Sequence, residues 1–327
     1  MHGRLFTLFD TIPFPSYFTL LVTGFIFATA VGALWARRVG QNPDVIVDLG
    51  LAMLMSGVIG GRILHVLADG YFWDYVNLCV DPSAVGWRIT ADECTSSAYQ
   101  GVWDEAAQVC HPVARGDFGD LLDRCTAWIQ FWRAGFAFYG GLVLASITAW
   151  FVLRRDRFPF WKAADMAGIT VPLGLGFGRM GCLLAGCCFG KVTTSPYSLV
   201  FPPHSPASES QWKQGLLPTP FDPSLPVLPT QIYEAGGCLL ISAVLLLWLH
   251  GRKRFDGEVF VAFVGSYAIL RFVLEFWRAD DRGGLFGLST SQLIGVVLLI
   301  AAACLHRFLA ARSAAGANRL AAGTSSA

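Results

Sequence analysis

The chain has 327 residues, of which 54% are hydrophobic and 14% charged, with a formal net charge of +1. Charged residues make up about a quarter of an ordinary soluble domain, so this deficit argues against a soluble enzyme and for an integral membrane protein. The near-zero net charge leaves no basic footprint for nucleic acid.

Apolar runs fall at 17–36, 45–67, 135–153, 163–185, 230–250, 257–277 and 289–311. Each has roughly the 20 residues that a hydrocarbon core of about 30 Å requires. The fold class predicted is therefore an all-α integral membrane protein with seven transmembrane helices. Basic residues collect in alternate linkers: Arg37 and Arg38, then Arg154, Arg155, Arg157 and Lys162, then Arg252, Lys253 and Arg254, then His306 and Arg307. That side is cytoplasmic by the positive-inside rule, which puts the N-terminus outside and the C-terminus inside. The first run is not read as a cleaved signal peptide, because its basic residues follow the apolar core. Residues 1–312 are read as one membrane domain and 313–327 as a disordered cytoplasmic tail.

Two long loops are placed outside. The first, 68–134, holds ten acidic residues, four arginines and Cys79, Cys94, Cys110 and Cys125. An even number of cysteines on an oxidising face suggests two disulfides, with three connectivities open. The second, 190–229, is rich in proline, which argues against regular helix or central strand and for a surface arm.

Charges inside the spans carry the functional signal. Gly176, Gly178 and Gly181 spell a dinucleotide fingerprint, but within a membrane span they read as glycines that let helices approach closely. Arg179 lies three residues after Gly176 in the same span. In the sixth span Tyr267, Arg271, Glu275 and Arg278 fall at i, i+4, i+8 and i+11, one helix face. Arg62 lies in the second span. Buried arginines at one depth, with few acids to match them, call for an anion, and in a membrane that anion is a lipid phosphate. The plainer readings are an ion pair between Arg271 and Glu275, snorkelling of Arg278 to the interface and a structural pairing of Arg179. Cys182, Cys187 and Cys188 are read as packing. A disulfide from Cys182 to Cys187 or Cys188 is the second reading. A metal site with His65 as the candidate fourth ligand is the third. Cys238 and Cys304 are read as packing.

Residues 178–190, GRMGCLLAGCCFG, preceded by Val171-Pro172-Leu173-Gly174, resemble the signature of the prolipoprotein diacylglyceryl transferase family. Phe138-Tyr139-Gly140-Gly141-Leu142 is similar to its His-Gly-Gly-Leu element, and Leu228 to Glu234 to its Pro-x-Gln-Leu-Tyr-Glu segment. Tyr267 to Arg278 is similar to its Tyr-x-x-x-Arg-x-x-x-Glu-x-x-Arg helix, and Tyr17 matches a family tyrosine. The resemblance implies transfer of the diacylglyceryl group of phosphatidylglycerol to the lipobox cysteine of a prolipoprotein signal peptide. A thioether forms and glycerol phosphate leaves. It implies Arg179, Arg271, Tyr267, Tyr139 and Glu275 as catalytic residues. Arg62, Tyr17, Gly140, Gly141, Gly190 and Arg278 are the substrate-binding residues. No metal and no cofactor are implied. The expected setting is a monomer in the bacterial inner membrane, with the site facing the periplasm and the outer leaflet.

The chain departs from the family where Tyr139 replaces the usual His, and where Cys182, Ala185 and Cys187 replace Asn, Asn and Glu. A phenol with a pKa near 10 is a poor base at neutral pH. The departures leave open a divergent or inactive relative that binds lipid or lipoprotein. Two rivals from other classes are a transporter with an arginine-lined anion path and a thiol–disulfide oxidoreductase. The first lacks repeated halves and the second lacks a Cys-x-x-Cys pair.

Overall fold

The computed structural model describes residues 4–8, 12–87, 94–95, 101–113, 117–130, 137–219, 221–279, 284–285 and 287–324. In chain order the helices are α1 (Ser16–Arg38), α2 (Pro43–Ala68), α3 (Phe72–Val80), α4 (Phe118–Cys125) and α5 (Phe138–Arg155). They continue as α6 (Phe160–Ala185), α7 (Pro206–Lys213), α8 (Thr230–Val244), α9 (Glu258–Leu274) and α10 (Thr290–Thr324). The strands among the described residues pair only as two-stranded antiparallel hairpins. The protein is thus mostly helical. Among the described residues six segments are long and apolar enough to cross a membrane: Ser16–Arg38, Pro43–Ala68, Phe160–Ala185, Thr230–Arg252, Glu258–Trp277 and Thr290–Gly316. The run expected at 135–153 forms α5, whose 18 residues end in Arg154 and Arg155 and so leave a shorter apolar stretch than those six. The tail expected to be disordered from 313 instead continues α10 to Thr324, in a stretch of alanine, leucine and arginine that favours helix.

The chain divides into two compact units, one of residues 1–47 with 157–327, the other of residues 48–156. In the first, α6 packs against α1, α8 and α9. Small residues set these approaches. A Cβ on Gly24 would meet Phe177 and one on Gly32 would meet Met166, while Gly181 lies against Tyr17 and Gly176 against Leu239. The glycines that spell a fingerprint are therefore packing glycines, as a membrane setting favours. Pro172 lies inside α6 and removes a backbone hydrogen bond there, and the Ser242 hydroxyl donates to the Ile169 carbonyl one turn earlier at 2.8 Å. At the other end of this unit the fully buried Asp165 accepts from the backbone N–H groups of Gly257, Val259 and Phe260 and from Lys253. A carboxylate here satisfies the orphan donors that open α9 and suits its dipole. Ile169, Leu245, Val259 and Phe263 form the core between these helices.

The proline-rich segment 190–229, expected to hold no regular helix, does hold one. It contains α7, opened by a capping box between Ser205 and Ser208 with Pro206 in the first turn, where the missing N–H costs nothing. Phe201, Ala207 and Val227 are fully buried against Leu183 of α6. The prolines set turns around a packed subdomain; they do not prevent one.

In the second unit, α2 and α5 meet at glycines. A Cβ on Gly140 would run into the Gly60 carbonyl and Leu64, and one on Gly141 would lie 2.8 Å from the Gly57 carbonyl. The loop 68–134 packs Leu78, Val85 and Ala127 around Tyr75 and Trp87. Of the three connectivities open from sequence, the structure has Cys79–Cys125 and, nested within it, Cys94–Cys110.

Candidate active site

Glu234, on the second turn of α8 and 1% exposed, is the centre of the charged cluster in the first unit. Its Oε2 lies 3.0 Å from Arg179 Nε, 3.6 Å from Arg271 Nη1 and 3.9 Å from Arg278 Nη1. Its Oε1 accepts from the Tyr267 hydroxyl at 3.3 Å. Three chain segments thus converge on the carboxylate of a fourth. Arg179 comes from α6, Tyr267 and Arg271 from α9, and Arg278 from the extended residue after the 3₁₀ turn Glu275–Trp277.

Glu275 is the second acid. It lies 3.4 Å from Arg271 Nη2 and accepts from the Ser289 hydroxyl at 2.9 Å. The intrahelical pair read from sequence therefore exists, but it does not account for Arg271, which also faces Glu234. Among the described residues, three guanidinium groups thus share two carboxylates. Arg271 Nη1 is buried and has no hydrogen-bond acceptor among the described residues. A buried cationic donor of this kind costs free energy until an acceptor arrives.

Arg278 is 4% exposed, so it does not snorkel. Nor does helical periodicity carry it to the site, since α9 ends at Leu274. It is set in place by an antiparallel bridge to Gly190, flanked by Lys191 N–H donating to the Trp277 carbonyl at 2.8 Å. Gly190 N–H donates in turn to the Leu228 carbonyl, and a Cβ at Gly190 would lie within 2.9 Å of Trp277 and Leu228. Only glycine lets these three segments meet beside Arg278. Tyr17, at the start of α1, lies over Gly181, two residues from Arg179 on α6.

The turn after α6 completes the surroundings. Gly186 takes a left-handed conformation as the helix cap. The Cys187 carbonyl accepts from Gln231 Nε2 at 2.7 Å, and the Cys188 carbonyl from the Thr230 hydroxyl at 3.0 Å. Cys182, Cys187 and Cys188 bring their sulfurs within 4.8 Å of one another.

The remaining candidates belong to the second unit. Arg62, 5% exposed, donates to the carbonyls of Ala127 at 2.7 Å and Trp128 at 2.9 Å, and its guanidinium lies over the Tyr75 ring. Expected to meet an external anion, it instead donates to backbone carbonyls of the loop 68–134. His65, considered as a metal ligand, is paired with Asp69 at 2.8 Å. Tyr139 is 56% exposed beside Phe138, and Gly140 and Gly141 form the α2–α5 contact. The residue missed from sequence is Glu234. The signal was present: it is the one acid in the run 230–250, and an acid in a span is as costly as an arginine.

Residues 107–307 match the family model described as prolipoprotein diacylglyceryl transferase. A Clostridium tetani protein named phosphatidylglycerol–prolipoprotein diacylglyceryl transferase is 26% identical over 92% of this chain and 94% of its own. A Clostridium perfringens protein, numbered 2 under the same name, is 28% identical over 89% of each chain. One from Chromohalobacter salexigens is 29% identical over 81% of this chain and 75% of its own. The matched region holds Arg179, Glu234, Tyr267, Arg271 and Arg278 together, and the chain belongs to the prolipoprotein diacylglyceryl transferase family.

Proposed function

We propose that the chain is a phosphatidylglycerol–prolipoprotein diacylglyceryl transferase, and that the Arg179–Glu234–Arg271–Arg278 cluster holds the lipid phosphate. The observation that carries this reading is the buried Arg271 Nη1, which has no hydrogen-bond acceptor among the described residues and lies with Arg179 and Arg278 around Glu234. A phosphodiester brings a negative charge and the oxygen acceptor that this donor lacks.

In the reaction the acceptor thiolate, from the lipobox cysteine of a prolipoprotein, attacks the glyceryl carbon. The new C–S bond forms as the C–O bond to phosphate breaks, and glycerol phosphate leaves. Preorganised guanidinium groups stabilise the charge that gathers on the leaving phosphate. They also favour the thiolate over the thiol. Glu275 takes the thiol proton. Glu234 keeps three like charges within reach of one lipid head group. Tyr267, held by that carboxylate, fixes its orientation.

The same reading gives seven spans, with α5 as the third, a monomer in the bacterial inner membrane and the cluster on the periplasmic side. It is supported by the basic residues of alternate linkers, Arg37 and Arg38 at the end of α1 and Arg154 and Arg155 at the end of α5. The test is transfer of a labelled diacylglyceryl group from phosphatidylglycerol vesicles to a lipobox peptide by the purified chain. No transfer by well-folded protein, and no rescue of a cell depleted of its own transferase, overturns it.

A further inference from the structure

We propose that Cys182, Cys187 and Cys188 form a three-thiolate site for a thiophilic metal ion, zinc or its soft analogues. Their sulfurs already lie within 4.8 Å of one another. A Zn–S bond of about 2.3 Å sets thiolate sulfurs about 4 Å apart around one ion. Closing the cluster on a metal therefore asks for a contraction of about 1 Å or less.

The backbone that gathers the sulfurs is held from outside the cluster. Cys188 adopts φ +60°, a left-handed conformation that a residue with a Cβ rarely takes. Thr230 and Gln231, both 1% exposed, clamp the carbonyls of Cys188 and Cys187 from the first turn of α8. Strain sustained by neighbours in this way is typical of functional sites. Gln231 Oε1 is buried with no donor among the described residues. A three-cysteine site leaves the ion a position for water, and a bound water is a donor. By contrast Cys238 is a single buried thiol, as apolar packing predicts.

Charge and redox chemistry agree. Metal binding ionises three thiols and releases three protons. Three thiolates with one divalent ion carry one negative charge, beside Arg179 and Arg278. In the proposed topology the cluster faces the side on which Cys79–Cys125 and Cys94–Cys110 are oxidised. Three thiols within reach of one another stay reduced there when a metal holds them, because the bound thiolates are no longer free to exchange.

The test uses the full chain in detergent and does not depend on transfer activity. Zinc content is measured on the protein as purified, and the stripped protein is titrated with Cd(II), following the thiolate-to-cadmium charge-transfer absorbance. One ion per chain is expected, with affinity falling at least tenfold in Cys182→Ser, Cys187→Ser or Cys188→Ser and unchanged in Cys304→Ser, whose thiol is exposed. Thermal unfolding of each variant separates lost binding from lost fold. Absence of the absorbance in the parent protein overturns the site. So does its survival when all three are replaced, or a disulfide from Cys182 to Cys187 or Cys188 in the protein as purified.

Discussion

Two regions of this molecule bury arginine in apolar helices, and they do it by opposite means. Arg62 spends its donors on neutral carbonyls, those of Ala127 and Trp128. Arg179, Arg271 and Arg278 share one carboxylate and leave a donor over. Backbone carbonyls tie a guanidinium to a loop. A carboxylate divided among three guanidiniums holds them together and leaves Arg271 Nη1 buried with no acceptor among the described residues, which is an opening for an anion's oxygen. Burial of an arginine alone does not distinguish anchor from site; the count of its partners does.

The comparison breaks most sharply if Arg179→Ala or Arg271→Ala keeps activity. Loss of one preorganised donor to a developing charge costs about 10²–10³-fold in rate. Transfer to a lipobox peptide should fall at least that far, with thermal unfolding little changed. The next effect belongs to Glu234→Gln. It leaves three guanidiniums without their shared counter-charge, and breaking a buried ion pair costs about 3–5 kcal/mol. A clear drop in unfolding temperature is expected together with impaired transfer. An unchanged unfolding temperature would mean that the arginines are already solvated.

Arg62→Ala should act the other way round. Two buried carbonyls lose their donors, at about 1–3 kcal/mol each. Limited proteolysis of 68–134 should quicken, while transfer falls less than tenfold. A loss as deep as that of Arg179→Ala would return Arg62 to the lipid phosphate.

Much of this was legible in the sequence because hydrocarbon imposes a coarse, one-dimensional code. Six of the apolar runs are helices long enough to span, and the motif arginines of the fourth and sixth runs do meet. Periodicity failed where the helix stopped. Arg278 reaches the cluster through a strand-like bridge to Gly190, a long-range pairing that no spacing encodes. Glu234 was passed over because its partners lie on other helices, so no acid–base pattern surrounds it in the chain. The segment 190–229 was misjudged because proline count forbids long helices, yet allows a short one with proline in its first turn. Cysteine pairing is likewise decided by tertiary contact.

The two disulfides give the finest test of the division of labour, because they stabilise the loop without touching the charged cluster's chemistry. Cys79–Cys125 spans 46 residues and Cys94–Cys110 spans 16. In the chain-entropy account a closed loop of about 15 residues contributes about 3 kcal/mol and one of 100 about 4.7 kcal/mol, so the outer bridge should contribute roughly 1 kcal/mol more than the inner. The outer bridge also ties α3 to α4, which frame Leu78 and Ala127, whereas the inner one joins the Val109–His111 strand to Cys94. Replacing Cys79 and Cys125 by serine should therefore raise protease sensitivity of 68–134 more than replacing Cys94 and Cys110, and either pair should leave transfer within a few-fold of the parent. If the inner pair proves the costlier, the loop is held by its hairpin and not by the Leu78 core, and the anchoring assigned to Arg62 loses its partner.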